Sequence, residues 1–245
     1  MVRNIDHASR KKSVLGATIN RYIKNPLPVA SEDVSDLFSL SSSTIRNIFA
    51  ELEDEGLLTH PHTSAGRVPT NKGYRYYVDV LLSQAELLDD EKQRIIKEYK
   101  KEIRELDEAL ENTSEVISAI THYTSIVSFL EWEDKLFYNG ISFVLEQPEF
   151  HDHKRISFLI RMIEQKEKLL NIINRDFSGK IKIYIGDEIG FPEIDNCSLV
   201  VSTYNVKKRP IGRLAILGPM RMEYEHIIPT LGYVSDYLTE ILEKI

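Results

Sequence analysis

With a single cysteine, Cys197, the 245-residue chain has no internal disulfide framework. No Cys/His grouping has the spacing of a structural zinc site, and His60-x-His62 and His151-x-His153 offer too few ligands each. No run of about eighteen apolar residues occurs, which excludes a transmembrane helix. The stretch Met1-Val2-Arg3-Asn4-Ile5-Asp6-His7 lacks the apolar core of a secretory signal, so a reducing, cytoplasmic setting is expected. The carboxylates of Gly186-Asp187-Glu188 have no nucleophile, Gly-rich phosphate loop or partnered histidine beside them. No catalytic, cofactor-binding or metal-binding residue is therefore expected, and the chain does not read as an enzyme. Positive charge is also scarce: 31 Lys and Arg face 38 Asp and Glu, a net charge of -7 that at first argues against nucleic acid.

What is present is unevenly placed. Residues 1–80 carry ten basic and nine acidic side chains, while residues 81–245 carry 21 and 29. Residues 56–78 contain no acid at all but hold His60, His62, Arg67, Lys72 and Arg75. An acidic protein can thus still present a basic surface, provided the fold gathers these side chains.

The first eighty residues read as a sequence of short helices. Ser13 can cap a helix with the apolar stripe Leu15, Ile19, Tyr22 and Ile23, which Asn25-Pro26 ends. Ser31 can cap a second, with Glu32 and Asp33 in its first turn and Val34, Leu37 and Phe38 as its buried face. Ser39-Leu40-Ser41 makes a tight turn with one apolar plug. A third helix starts at Ser42 or Ser43 and stops at Gly56. Two helices joined by such a turn spell helix-turn-helix. Residues 57–60 and 67–70 read as the strands of a β-hairpin wing, and 71–82 as a further helix burying Tyr77, Val78, Leu81 and Leu82.

Beyond residue 86 the chain is helical and charged to about Val127. Ile95, Tyr99, Ile103, Leu106, Leu110, Thr113, Ile117 and Ile120 alternate steps of three and four. Either this seam packs on its own chain or it pairs two subunits, and both readings stay open. Residues 136–144 form a mixed apolar stretch, 156–174 a helix, 180–186, 198–204 and 211–217 strands, and 222–245 an amphipathic helix. The fold class is α+β, with helices on an antiparallel sheet. Three segments are expected: a winged helix-turn-helix over 1–82, a helical linker or dimerisation segment over 83–128, and a regulatory domain over 129–245.

In a helix-turn-helix the front of the second helix enters the major groove. Helical spacing turns Ile45, Phe49 and Leu52 inward and leaves Ser42, Ser43, Arg46 and Asn47 outward, with Thr44 among them. Arg pairs in bidentate fashion with guanine and Asn with adenine, while short hydroxyls bond phosphates or bases. On the wing, Arg67 is expected at the tip, flanked by Ser64, Ala65 and Gly66, whose small size lets the backbone approach the duplex. Its guanidinium suits a narrow minor groove, and His62 and Thr63 are expected to join it there. Lys72 and Arg75 would reach phosphates near a helix start. Tyr74 and Tyr76 would touch the DNA backbone or else sit half in the core. Cys197 reads as a small buried hydrophobe.

The run from Leu58 to Asp79, with Thr-Ser-Ala-Gly-Arg-Val-Pro-Thr at its centre, resembles the wing signature of the heat-inducible transcription repressor family, HrcA. Ser43-Thr-Ile-Arg-Asn47 with Ala50-Glu-Leu-Glu53 is similar to its recognition-helix region. Leu136-Phe-Tyr-Asn-Gly-Ile-Ser, Leu145-Glu-Gln-Pro-Glu-Phe150, Cys197-Ser-Leu-Val200, Arg209-Pro-Ile-Gly212 and Leu217-Gly-Pro-Met-Arg-Met222 resemble its later segments. The resemblance implies a homodimeric repressor of chaperone operons that binds double-stranded DNA at the inverted-repeat CIRCE operator and is released on heat stress. It also implies a C-terminal GAF-like domain, dependence on the GroEL chaperonin for active folding, and no contact with membranes.

Two departures from the family pattern stand out. Ile48 occupies a place where members carry an acid after Arg-Asn, so a somewhat different operator reading is expected. Between Phe129 and Leu136 the family has a longer middle stretch, so this chain resembles an abbreviated member with a reduced GAF-like sheet. The alternative is a winged-helix regulator answering to a ligand or partner at a different operator. A chain unable to bind an operator, acting through protein interaction alone, is the remaining reading.

Overall fold

A computed structural model describes residues 7–62, 65–81, 86–99, 103–132, 135–150, 152–175, 179–207 and 209–245. The chain divides into two compact units, Met1–Gln84 and Ala85–Ile245.

In the first unit, α1 spans His7–Lys24, α2 Ser31–Phe38 and α3 Ser42–Asp54. α1 begins six residues before Ser13, whose hydroxyl instead donates back to the Ser9 carbonyl at 3.1 Å. Ser31 does not cap α2 but is its first residue. The cap position is Ala30, whose N–H donates to Asp33 Oδ2 at 2.9 Å. α3 is capped by Ser41, whose Oγ accepts from the Thr44 N–H at 3.1 Å. The chain leaves α3 through Gly56 at φ +70°, a left-handed turn that suits glycine. Val14, Leu15, Ile19, Val34, Ile45, Phe49 and Leu52 form the core. One sequence expectation changes here: Leu37 is 67% exposed rather than buried. Ile48 is 2% exposed and packs inside with Ile45, Phe49 and Leu52.

Strands β1 (Leu58–Thr59) and β2 (Val68–Pro69) pair antiparallel as the wing, with Leu58 opposite Pro69. α4 (Asn71–Tyr76) follows, capped by Thr70, and passes into a π-helical turn over Tyr77–Leu81. Tyr77 and Val78 are buried as expected; the burial expected of the Leu81 side chain and of Leu82 falls outside what the structure describes.

The second unit is a five-stranded, wholly antiparallel sheet with helices on both faces. Its elements are α5 (Asp89–Glu98), α6 (Leu106–Thr121), β3 (Thr124–Phe129), β4 (Leu136–Asn139), α7 (Ile141–Leu145), α8 (His153–Glu164), α9 (Lys166–Ile173), β5 (Ile181–Ile185), β6 (Cys197–Val206), β7 (Arg209–Pro219) and α10 (Tyr224–Leu242). Strand order is β4-β3-β7-β6-β5. This is the α+β, GAF-like architecture anticipated for the C-terminal half.

Side-chain alternation divides the sheet core. Ile126, Leu199, Val201, Ala215 and Leu217 join Val144 of α7 and Leu169, Leu170 and Ile173 of α9 in one apolar cluster. Val200 and Ile216 alternate with these to the opposite face, where α10 packs on β6 and α6 on β3. Cys197 lies fully buried at the start of β6. Tyr204 donates its hydroxyl to the Ser128 carbonyl at 2.8 Å, and burial pushes that phenol's pKa upward, keeping it a donor.

The expected seam is not one helix. α5 ends at Tyr99, whose backbone is extended, and α6 begins afresh at Leu106. Tyr99 packs its ring edge-on against Tyr237 of α10 at 4.9 Å and donates to Thr113 Oγ1 at 3.1 Å. Leu110, Thr113 and Ile117 are buried in the same unit, so these seam positions fold back onto their own chain. The stretch expected to stay helical to about Val127 is instead strand from Thr124 to Phe129, and this β3 stands second in the sheet order. Phe129 and Leu136 are joined as one hairpin, with Ser128 opposite Leu136.

Candidate nucleic-acid interface

The front of α3 presents Ser43, Arg46 and Asn47 as exposed side chains, with Ser42 and Thr44 half-buried. Their placement follows from the helix period: Ile45, Ile48, Phe49 and Leu52 occupy the core face, and what remains points away. Arg46 is held where it stands. Its Nη2 donates to Glu32 Oε1 at 2.7 Å and its Nε to Ser31 Oγ at 3.2 Å, both from the start of α2. The Glu32 carboxyl lies below its ordinary pKa, lowered first by its own backbone N–H, then by Arg46 and Ser31.

Arg67 is placed otherwise than its sequence context suggests. It lies at the base of the wing, not at the tip, bridged backbone-to-backbone with Val29: the Arg67 N–H donates to the Val29 carbonyl at 2.8 Å and the Arg67 carbonyl accepts from the Val29 N–H at 2.9 Å. Its Nη2 pairs with Glu53 Oε2 at 2.9 Å and its Nη1 donates to the Ala65 carbonyl at 3.3 Å. Glu53 also holds His60 Nδ1. The guanidinium thus braces the wing against the end of α3. Gly66 has a matching role. A Cβ there would lie 2.4 Å from the Val29 carbonyl oxygen, so its smallness admits the protein's own backbone rather than that of a duplex.

Of the other expected contacts, His62 is exposed at the wing and accepts the Ala65 N–H on its carbonyl at 2.9 Å. Thr63 and Ser64 lie outside the described residues. Lys72 is exposed, its Nζ donating to the Glu55 carbonyl at 2.8 Å. Arg75 reaches Asp79 at 3.1 Å one turn along. Tyr74 is only 2% exposed and belongs to the core, which removes it from any surface. A cleft of about 380 Å³ lies between the start of α2, Arg46 and the wing base at Gly66 and Arg67.

Arg46 stands outward as its helical position predicts, whereas Ser31 and Glu32 beside it, and Glu53 beside Arg67, do not stand out in the sequence. The signal for Glu32 was available in part: an acid in the first turn of α2 stands across the helix-turn-helix from the front of α3. Among the described residues no group of three or more His, Cys, Asp or Glu could hold a metal ion, and no helix is long and apolar enough to cross a membrane.

Comparison with known proteins decides the family. A model described as the winged helix-turn-helix transcription repressor, HrcA DNA-binding, matches residues 7–81, and one described as the HrcA protein C terminal domain matches residues 82–228. The chain belongs to the HrcA family. Relatives named heat-inducible transcription repressor HrcA include those of Pelotomaculum thermopropionicum, 28% identical with 96% of this chain and 97% of the relative covered. Another is that of Geobacter sulfurreducens, 29% identical with 97% and 99% covered. These alignments run over 337 and 338 positions against 245 residues here, so both HrcA relatives carry segments that this chain lacks. A crystal structure described as a hypothetical protein at 2.2 Å resolution shares the fold at a TM-score of 0.82 and 18% identity, over 96% of this chain and 98% of that one. As an HrcA family member the chain carries a winged-helix DNA-binding domain.

Proposed function

We propose that this chain is a sequence-specific, homodimeric repressor of heat-shock chaperone operons, binding an inverted-repeat operator of the CIRCE type. The observation that carries the reading is the front of α3. There Arg46 and Asn47 stand exposed side by side within a winged helix-turn-helix of the HrcA family. Each subunit places this pair in a major groove, where Arg reads guanine and Asn reads adenine. The wing carries His62 toward the flanking backbone, and Lys72 and Arg75 supply phosphate contacts.

Charge supports the dimer. Lys11, Arg21, Arg46, Arg67 and Arg75 are each paired with an acid of the same unit. One unit on its own therefore has little net attraction for a polyanion. Linking two such units raises apparent affinity by about 10²–10⁴ through effective concentration. Two subunits on a two-fold axis also require half-sites whole helical turns apart, roughly 34–36 Å. Loss of the dimer is then an efficient release, and a regulatory unit only marginally stable loses folded population several-fold for about 1–2 kcal/mol of thermal destabilisation. Chaperonin-assisted refolding by GroEL would restore it. The setting of this activity is the cytoplasm.

The test is binding of the full chain to a fluorescent duplex with the CIRCE-type repeat against a scrambled duplex, at fixed physiological salt, with light scattering for mass. A preference of roughly 10³ or more by a dimer, lost on warming together with its circular-dichroism melt, is expected. Equal binding to both duplexes, or specific binding by a monomer, would sink the reading.

A further inference from the structure

Arg46 is one corner of a closed ring of hydrogen bonds. Its Nε donates to Ser31 Oγ at 3.2 Å, Ser31 Oγ donates to Glu32 Oε2 at 3.0 Å, and Arg46 Nη2 donates to Glu32 Oε1 at 2.7 Å. The ring has one self-consistent direction. A serine hydroxyl owns a single hydrogen, and here the carboxylate takes it, so the oxygen lone pairs are left to accept from Nε. Ser31 is 6% exposed and sits in the first turn of α2, which fixes this corner rigidly.

A guanidinium offers five N–H groups in two usable forks, one on the Nε–Nη2 edge and one on the Nη1–Nη2 edge. The ring consumes the first. The second is the end of the side chain, and that side chain is 65% exposed on the outward face of α3. Its two parallel N–H bonds match the O6 and N7 acceptors that guanine shows in the major groove.

We infer that Ser31 and Glu32 are positioning residues that aim the end fork of Arg46 at a guanine base. The inference rests on the proposed DNA reading by α3 and names the base it reads and the residues that orient the reader. Two physical consequences follow. Arg46 surrenders its rotamer freedom when the protein folds, so little is left to lose on meeting the base. Glu32 also sets a negative charge beside the reading head, which opposes promiscuous phosphate contact and favours base contact.

The experiment uses the full chain and the CIRCE-type duplex with each half-site guanine exchanged in turn for 7-deazaguanine, which keeps O6 and replaces N7 by C–H. In the unsubstituted protein, one exchange per half-site should weaken binding about tenfold, the size of one lost arm of a bidentate contact. In Glu32→Ala the same exchange should cost less than about twofold, while affinity for a scrambled duplex is unchanged or rises. Ser31→Ala and the isosteric Glu32→Gln should fall between, and thermal melts identify the variants that are folded. A merely structural pair would alter the melt but leave the guanine penalty intact. Folded variants that keep the full penalty, or an unsubstituted protein indifferent to every guanine exchange, would overturn the inference while leaving the repressor reading standing. An unsubstituted protein that binds the repeat and the scrambled duplex alike would overturn both.

Discussion

Arg46 and Arg67 each meet a glutamate, at 2.7 and 2.9 Å, but in opposite surroundings. The first pair is open to water, its side chains 65% and 61% exposed, and the second is about three-quarters enclosed, at 23% and 25%. An exposed pair contributes little net stability, because the ordering of two long side chains offsets its attraction, so the Arg46–Glu32 bond serves to hold a direction rather than the fold. An enclosed pair is expensive to break, because the abandoned partner keeps its charge without an acceptor. The front of α3 is therefore organised for presentation and the wing base for rigidity. The same two residue types do different work because burial differs.

The sharpest way to break the wing side of this contrast is Gly66→Ala. The new Cβ would stand 2.4 Å from the Val29 carbonyl oxygen, and backbone must move to admit it. A loss of about 3 kcal/mol is expected, seen as an early melt of the DNA-binding unit and weaker binding to every duplex. On the other side, Arg46→Ala should cost operator binding about 1–3 kcal/mol and relax specificity at one base pair. Its melt should stay within about 0.5 kcal/mol of the parent. A large melt shift in Arg46→Ala would erase the contrast.

Glu53→Ala should destabilise by about 1–2 kcal/mol, since it strands both Arg67 and His60 at the wing base. Differential unfolding in urea measures this. Lys72→Ala should weaken all sequences alike and lower the salt slope of binding by about one. The smallest expected effect is a pH dependence that is nearly flat. Glu32 is lowered below its ordinary value in the folded protein, so its contribution is present at higher pH and fades only as pH falls through that lowered value. Discrimination between duplexes should hold from about pH 8 to about pH 5, and a decline within that window would dissociate Glu32 from the reading of DNA.

Much of this was legible from residues alone where a short period governed. The inward set Ile45, Phe49 and Leu52 follows from helix geometry, and the strands around Val200 and Ile216 follow from apolar runs bounded by turns. What escaped depended on partners distant in sequence. Nothing near Arg67 says that Glu53, fourteen positions earlier, will claim its guanidinium. Tyr74 carries a polar tip on a basic stretch, yet its ring fills the core. The three-four spacing from Ile95 to Ile120 survived across a break at Tyr99 because two separate helices contribute to it. β3 is hard to tell from the end of a helix because its Thr-Ser-Ile-Val-Ser-Phe run has no polar-apolar alternation, follows a helix with no Gly or Pro between, and is covered on both faces.

The hairpin between β3 and β4 has an evolutionary consequence. Ser128 and Leu136 are opposed in the ladder, so the chain leaves the sheet and returns to it at adjacent points on an edge. Neighbouring exits of this kind accept an inserted module or its deletion without disturbing the strands on either side. A segment inserted or removed between Phe129 and Leu136 would thus act as a cassette. In this chain the five strands stand in the order β4-β3-β7-β6-β5, with the two ends of that connection side by side.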